Sequence, residues 1–316
     1  EGHLRLVKAI AKYYEKEFDR DINPLDQVLI TVGAYGSLHN AFSSLIEQND
    51  EVILIEPFFD CFEPMVKIAG GKCVYVPLTY HSCEKDQTTV TTAAEWILNE
   101  KDLRAAFSTR TKLIVLNTPN NPLGKVYTRE ELRLIAELCI KHNVICISDE
   151  VYEHISFDKP HIRIASMPGM WERTLTIGSG GKVFSSTGIK VGWTLGPKEL
   201  VKLCAVSHNN NINVCPTFFQ EALARCYETE LKRLEEPECY FNSLKTELKA
   251  KRDYLAEQLV EAGFDPIIPD GGFFMLANIS QVAHDHLFGT DSKEYKDHKF
   301  VKFLIKEKNL ALIPCT

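Results

Sequence analysis

The segment LIVLNTPNNPLGKVYTREELRLIAELCIKHNVICISDEVY, residues 113–152, decides the fold. Short β-branched runs at 113–116 and 144–148 predict two buried strands. Residues 128–142 lie between them, and their apolar side chains recur at spacings of three and four. Thr128 and Glu131 have the spacing of a capping box, which marks a helix start. A strand, a helix and a second strand in this order form one unit of a parallel sheet.

The same alternation extends along the first two thirds of the chain. Helical periodicity recurs at 6–18 and 37–45, between short apolar runs. We therefore expect an α/β fold, a mostly parallel seven-stranded sheet with helices on both faces. The predicted strands are 28–31, 52–55, 73–77, 113–116, 144–148, 174–177 and 192–195.

The pattern changes after about residue 230. A long charged helix is predicted at 235–262, followed by strand-like runs at 266–268 and 273–277 and a helix at 300–307. We divide the chain into a large domain, 1–230, and a linking helix with a partial small α+β domain, 231–316. The run at 310–314 predicts a strand with no closing element after it, and the chain lacks a start methionine. We therefore expect the natural protein to extend beyond both ends.

Composition excludes several classes of function. The chain has 316 residues and a net charge of −7, so it offers no basic field for nucleic acid. No apolar run reaches the roughly 18 residues of a membrane span. Ten scattered cysteines without a C-x-x-C motif or a Cys/His cluster predict reduced thiols and no metal site. We expect a cytoplasmic protein, and a mitochondrial location stays open.

Ligands of open α/β sheets bind at the carboxyl ends of strands, and five such ends carry polar or aromatic groups. Residues 32–38 form a glycine-bounded turn that opens a helix, either a phosphate cradle or an ordinary turn. Residues 56–60 supply an aromatic pair that either stacks on a flat ligand or joins the core. Residues 117–124 place three amides and two prolines in one turn.

The other two strand ends carry charge. Asp149 follows a buried strand, and burial of a carboxylate is costly unless donors or a cation meet it. Residues 178–184 place Lys182 in a glycine-rich turn, but Thr176 and Val183 do not fit the Walker pattern. Pyridoxal phosphate is the ligand that matches all of these groups. They are an anion cradle, a stacking aromatic, amide and phenol donors, a carboxylate and an amine.

These residues resemble the class I, fold-type I, pyridoxal-phosphate-dependent aminotransferases. The motifs that carry the resemblance are NTPNNPLGKV at 117–126, SDEVYE at 148–153 and GSGGKVF at 178–184. The stretch EPFFDCFEPM at 56–65 is similar to the group of kynurenine aminotransferase, glutamine transaminase K and cysteine-S-conjugate β-lyase. The similarity runs over essentially the whole chain.

The resemblance implies a role for each candidate residue. Lys182 would form the Schiff base with the cofactor and act as general base, with Asp149 and Tyr152 as its partners in catalysis. Asn117 would contact the α-carboxylate of the substrate. The cofactor would be held by the ring-binding residues Phe59, Asn121, Asp149 and Tyr152 and by the phosphate-binding residues Ala34, Tyr35, Ser179 and Lys190.

The resemblance also implies the reaction. An aromatic or glutamine-like L-amino acid would donate its amino group to a 2-oxo acid, in a homodimer whose active sites lie at the subunit interface. Cysteine-S-conjugate β-elimination on the same cofactor is one alternative. A truncated, catalytically impaired isoform or fragment is another, because no arginine follows Arg252, whereas the family binds the substrate carboxylate through a C-terminal arginine.

Overall fold

Strands of the main sheet bring the predicted strand ends to one edge. The computed structural model describes residues 2–81, 90–284 and 293–316. Within them the strand order is β1-β8-β7-β6-β5-β2-β3-β4. The central strands from β7 to β3 are parallel, and the pairs β1–β8, β7–β8 and β3–β4 are antiparallel. The strands are β1 (Val28–Val32), β2 (Glu51–Glu56), β3 (Lys72–Tyr80), β4 (Trp96–Leu98), β5 (Thr111–Asn117), β6 (Ile145–Asp149), β7 (Thr174–Ser179) and β8 (Val191–Leu195).

The α/β class is confirmed, but the predicted count of seven strands is wrong. The eighth strand, β4, has three residues and pairs antiparallel with the end of β3 at the sheet edge. A run of three residues is too short to show the period-two alternation by which a strand is predicted.

Helices cover both faces of the sheet. Val28 and Ile30 of β1 pack with α1 and α8, whereas Leu29 between them packs with α2 and α7. Ile53 of β2 likewise packs with α5, and its neighbour Val52 packs with α3. Burial on both faces explains the unbroken apolar runs of these strands. The helices of this layer are α1 (Leu4–Phe18), α2 (Gly33–Leu45), α3 (Phe62–Ile68), α4 (Glu100–Ala106), α5 (Arg129–His142), α6 (Gly180–Val183), α7 (Lys198–Asn211) and α8 (Thr217–Glu230).

The capping box predicted for α5 is present. The Thr128 hydroxyl accepts a hydrogen bond from the Glu131 amide at 3.2 Å, and the Glu131 carboxylate accepts one from the Thr128 amide at 2.8 Å. The same carboxylate pairs with the buried Nζ of Lys125 at 2.9 Å. This helix start therefore also anchors the end of the loop at 117–125.

The remaining elements are α9 (Tyr240–Glu261), the hairpin partners β9 (Asp265–Ile267) and β10 (Leu276–Asn278), and α10 (Lys296–Lys308). The strand predicted at 273–277 begins only at Leu276. The strand predicted at 310–314 is absent, because no described strand lies beside this segment to pair with it. Instead the amides of Cys315 and Thr316 donate to the Asp297 carboxylate at 2.8 and 2.9 Å. The domain boundary at 230 stays a prediction.

No described helix combines the length and the apolar sequence needed to cross a membrane. Within the same described ranges, no group of three or more His, Cys, Asp or Glu side chains is placed to hold a metal ion. The nine cysteines in these ranges have free thiols, and Cys83 lies outside the described residues.

A buried charge cluster joins α1 to the turn that follows β6. Arg163 lies between two buried carboxylates, with its nitrogens 2.6 Å from Glu153 and 3.5 Å from Glu150. It also donates to the Tyr13 hydroxyl at 3.0 Å. Burial, the largest effect, raises the pKa of Glu153 to about 7, although the Arg163 charge acts to lower it. One guanidinium is therefore the cation that both buried glutamates share.

We expect Arg163→Met to destabilise the fold by about 3–5 kcal/mol, because it leaves two buried carboxylates without a cation. Urea unfolding at pH 8, where Glu153 is ionised, measures the loss. Arg104→Met is the matched control, since Arg104 makes exposed ion pairs with Glu100 and Glu137 and should lose less than about 1 kcal/mol. Equal losses in the two variants would contradict the role of the cluster.

Candidate active site

A cavity of about 450 Å³ lies at the carboxyl ends of the central strands. It is lined by every candidate residue that the sequence singled out. Their assembly follows from topology, because parallel strands bring their carboxyl ends to a common edge. The candidates in the lining are Ala34, Tyr35, Phe59, Asn117, Asn121, Asp149, Tyr152, Ser179, Lys182 and Lys190.

One end of the cavity is suited to an anion. The chain enters α2 through Gly33, whose φ of 66° lies in the left-handed region. Among the described residues no side chain caps this helix, so the first-turn amides, including those of Ala34 and Tyr35, face the cavity without a capping acceptor. The hydroxyl of Thr31 fixes the turn by donating to the Gly33 carbonyl at 2.9 Å. Lys190 and Ser179 complete this end.

Asp149 contributes a carboxylate to the cavity lining. Its side chain is buried, and the Val151 amide donates to its Oδ1 at 3.3 Å. Burial raises the pKa of this carboxyl to about 7; Glu150 also raises it, whereas the Val151 hydrogen bond and Lys182 lower it. Within the described residues no side-chain donor bonds this carboxylate. A ligand with a protonated ring nitrogen would supply the missing partner.

Lys182 supplies the amine of the cavity. It lies in α6, after two glycines, and a Cβ on Gly181 would come within 2.9 Å of the Thr187 Cα. Burial lowers the pKa of Lys182, Lys190 lowers it further, and Asp149 raises it. Its Nζ lies 5.6 Å from the centre of the Tyr152 ring. The amine therefore lies near an aromatic ring, in surroundings that favour its neutral form although the Asp149 carboxylate opposes this.

The two residues of the aromatic pair, Phe58 and Phe59, have different surroundings. Phe59 lines the cavity and packs edge-on against Phe62 with ring centres 5.9 Å apart. Phe58 stacks on Tyr75 at 6.0 Å and lies outside the lining. Phe59 is therefore the member of the pair that can face a flat ligand.

Two aromatic residues near the cavity escaped the sequence analysis. Phe274 lines it, and Phe273 packs edge-on against the Tyr152 ring at 5.4 Å and lies 5.9 Å from the Lys182 Nζ. Both follow Gly271 and Gly272, in a segment that sequence periodicity assigned to a strand. The available signal was the glycine pair, which marks a close backbone approach.

These residues fit pyridoxal phosphate. First-turn amides with a lysine suit its phosphate, and Phe59 offers a face for its ring. The phenol of Tyr152 keeps its proton, because burial, followed by Asp149, raises its pKa, so it can donate to the phenolic oxygen. Asp149 suits the ring nitrogen and Lys182 the aldehyde.

We expect Asp149→Asn to stabilise the protein measured without added pyridoxal phosphate. The folded-state pKa of about 7 lies well above the ordinary pKa of an aspartate carboxyl, so ionisation costs stability increasingly as pH rises from about 4 to 7. The gain should reach about 2–4 kcal/mol at pH 8 and vanish below pH ~4. Urea unfolding across this range measures it, with the exposed Asp26→Asn as control. A gain that did not change with pH would contradict the assignment.

Comparison with known proteins agrees with this geometry. The model of the family described as aminotransferase class I and II matches residues 1–316. Kynurenine–oxoglutarate transaminase 3 of Bos taurus is 50% identical over 314 residues, 99% of this chain and 68% of that protein. Kynurenine–oxoglutarate transaminase 1 of Homo sapiens is 45% identical over 316 residues, 99% of this chain and 74% of that protein.

Solved structures agree as well. Bna3p from Saccharomyces cerevisiae superposes with a TM-score of 0.91 at 34% identity, over 100% of this chain and 74% of that one. N-Succinyldiaminopimelate aminotransferase from Mycobacterium tuberculosis gives 0.86 at 35% identity, over 99% of this chain and 74% of that one. The resemblance seen in the sequence motifs is confirmed: the chain belongs to the aminotransferase class I and II family and is a pyridoxal-phosphate-dependent aminotransferase.

Proposed function

We propose that this chain transfers the amino group of a kynurenine-type aromatic L-amino acid to 2-oxoglutarate. The observation that carries the proposal is the placement of the Lys182 amine and the buried Asp149 carboxylate in one cavity with the amides of the α2 N-terminus. The names of the relatives support this donor and this acceptor. Phe59, Tyr152 and Phe274 in the lining support a flat donor side chain.

In this proposal, the cofactor is held by the residues that the sequence singled out. Ala34, Tyr35, Ser179 and Lys190 bind its phosphate. Phe59 stacks on its ring, and Asn121 and Tyr152 donate to its phenolic oxygen. When bound, pyridoxal phosphate supplies an electron sink for the bond that breaks at the substrate Cα.

Side chains of the protein transfer the proton of the substrate Cα. With cofactor and substrate bound, the Lys182 amine would be the base that removes the proton from the substrate Cα and the acid that later delivers it. The lowered pKa of Lys182, caused by burial and by Lys190, keeps a fraction of this amine neutral. Asp149, as the anion, keeps the ring nitrogen protonated throughout. The buried surroundings of both groups limit proton exchange with water.

The first test is the site of cofactor attachment. Purified protein mixed with pyridoxal phosphate should show a visible absorbance band, and borohydride should fix the cofactor to Lys182 in a peptide mass map. Lys182→Ala should lose the band and lower amino transfer by at least ~10³-fold. The exposed Lys112→Ala should behave as wild type. Attachment to another lysine, or no band at all, would refute the proposal.

The type of reaction is tested separately. Glutamate formation from 2-oxoglutarate, dependent on an aromatic donor, measures amino transfer. Pyruvate and ammonia released from a cysteine conjugate without an oxo acid measure β-elimination. We expect transfer to exceed elimination for every donor that lacks a leaving group at Cβ. A chain that binds cofactor but performs neither reaction would instead favour the impaired isoform.

We expect Phe59→Ala and Phe58→Ala to separate stacking from core packing. Phe59→Ala should weaken pyridoxal phosphate binding by about 2- to 12-fold, because it removes a ring contact worth ~0.5–1.5 kcal/mol. Phe58→Ala should change the dissociation constant by less than about twofold, since Phe58 packs on Tyr75 instead. Titration of cofactor-free protein, followed by absorbance, gives both constants. The reverse order would show that Phe58 is the stacking residue.

We also propose that the chain forms a homodimer. An exposed apolar patch spans the end of α7 and the start of α8, and its members include Val206 at 56% exposure, Val214 at 68% and Phe218 at 83%. Apolar side chains exposed side by side in this way favour burial against another protein surface, and α7 packs on α2, which carries the anion end of the cavity. A second copy on this patch would bring the two active sites near the interface.

Light scattering of V214E/F218E tests the dimer. We expect this variant to be monomeric where the wild type is dimeric, because two carboxylates would have to be buried in the interface. Tyr254→Glu, at an exposed apolar position on α9, should stay dimeric. A wild-type monomer would rule out the dimer.

A cytoplasmic location is likewise a proposal. The free thiols of the nine cysteines in the described ranges are compatible with a reducing compartment. Cell fractionation of the natural protein tests it, and recovery in mitochondria would favour the alternative.

A further inference from the structure

Asn117, the last residue of β5, has both polar groups of its side chain committed to the backbone. Its Nδ2 donates to the Asp149 carbonyl at 3.1 Å. Its Oδ1 accepts a hydrogen bond from the Asn121 amide at 2.6 Å. The residue is 5% exposed. One side chain therefore joins the ends of two neighbouring strands to the loop that follows the first.

These contacts replace sheet hydrogen bonds where the sheet ends. Asn117 and Asp149 are the last register pair of β5 and β6, and the Thr118 amide still donates to the Asp149 carbonyl at 3.1 Å. Beyond this point the loop turns away, and the Asn121 amide has no strand beside it. An amide left without an acceptor in such a place costs free energy. The Asn117 oxygen supplies that acceptor and so fixes the loop.

We infer that Asn117 is a positioning residue that fixes Asn121 and Asp149 relative to each other, instead of the contact to the substrate α-carboxylate. The inference rests on the proposed function, in which Asn121 holds the phenolic oxygen of the cofactor and Asp149 holds its ring nitrogen. Only Nδ2 could donate to a carboxylate, and one of its two N–H groups already donates to the Asp149 carbonyl. A substrate carboxylate would have to reach the second N–H of a side chain that is anchored at both polar groups and 5% exposed.

The two roles differ before any substrate is added. With Asn117→Ala, we expect the dissociation constant for pyridoxal phosphate to rise about tenfold, because the Asn121 amide loses its acceptor and the Asp149 carbonyl loses one of its two donors. We expect kcat to fall and the KM values for donor and acceptor to change by less than about threefold. An unchanged dissociation constant with both KM values raised tenfold or more would overturn the inference in favour of substrate contact.

A double-mutant cycle tests whether Asn117 acts through Asn121. If it does, adding Asn117→Ala should weaken cofactor binding less in the Asn121→Ala background than in the wild type, because only the link to Asp149 is left to lose. Additive losses would overturn this link.

Asn117→Asp keeps the test valid if the alanine variant does not fold. It has nearly the same volume and retains the oxygen that accepts from the Asn121 amide, but it lacks the donor to the Asp149 carbonyl. Positioning predicts that the Asn121 amide stays protected from hydrogen exchange in Asn117→Asp but not in Asn117→Ala, with KM nearly unchanged. Substrate contact predicts a large rise in KM, because the new carboxylate would repel the substrate carboxylate.

Amide hydrogen exchange separates this inference from the proposed function. In cofactor-free protein, the Asn121 amide should exchange at least about tenfold faster in Asn117→Ala than in the wild type, while amides in α5 keep their rates. This result requires no cofactor or activity. Suppose that the wild type binds no cofactor, but that the Asn121 amide still exchanges faster in Asn117→Ala than in the wild type. The proposed function would then fail, whereas the inference that Asn117 fixes the loop would stand. Unchanged exchange at Asn121 would overturn the inference.

Discussion

A carboxylate buried at the end of a central strand is the constraint on which the site depends. Asp149 is 4% exposed, and in the described residues its carboxylate accepts a hydrogen bond from one backbone amide and from no side chain. Desolvation therefore dominates, and it raises the pKa of the carboxyl to about 7. Such a group is costly as an anion until a cation faces it. This carboxylate lines the cavity, where a protonated ring nitrogen would offset the cost.

The turn behind Asp149 is held by the buried charge cluster. Successive residues at a strand end point to opposite sides, so Asp149 faces the cavity while Glu150 faces Arg163. The His161 Nε2 lies 2.7 Å from the Glu150 carboxylate, and burial lowers the pKa of His161 although Glu150 raises it. Glu150 and Glu153 share Arg163 as their cation, and Asp149 is the carboxylate of this segment that lines the cavity.

The sequence predicted those parts of the fold and site that depend on local pattern. Strands buried on both faces read as apolar runs, and candidates at their carboxyl ends meet because the strands are parallel. The three-residue β4 has no readable period, and the segment 310–314 has a strand-like composition without a neighbour. Phe274 reaches the cavity through tertiary contacts, since the Gly271 amide donates to the Gly124 carbonyl and the Gly272 amide to the Ile155 carbonyl. No short stretch of sequence encodes such contacts.

Burial acts on the two ionisable groups of the site in opposite directions. It raises the pKa of the Asp149 carboxyl and lowers that of the Lys182 amine, because in each case it disfavours the charged form. Their mutual attraction opposes both shifts, and Lys190 lowers the pKa of Lys182 further. A bound cofactor would place a cation beside Asp149 and an anion beside Lys190. The cation would oppose the rise in the pKa of Asp149, and the anion would oppose the effect of Lys190 on the pKa of Lys182. Burial of Asp149 and Lys182 therefore links cofactor binding to the fraction of the Lys182 amine that is neutral.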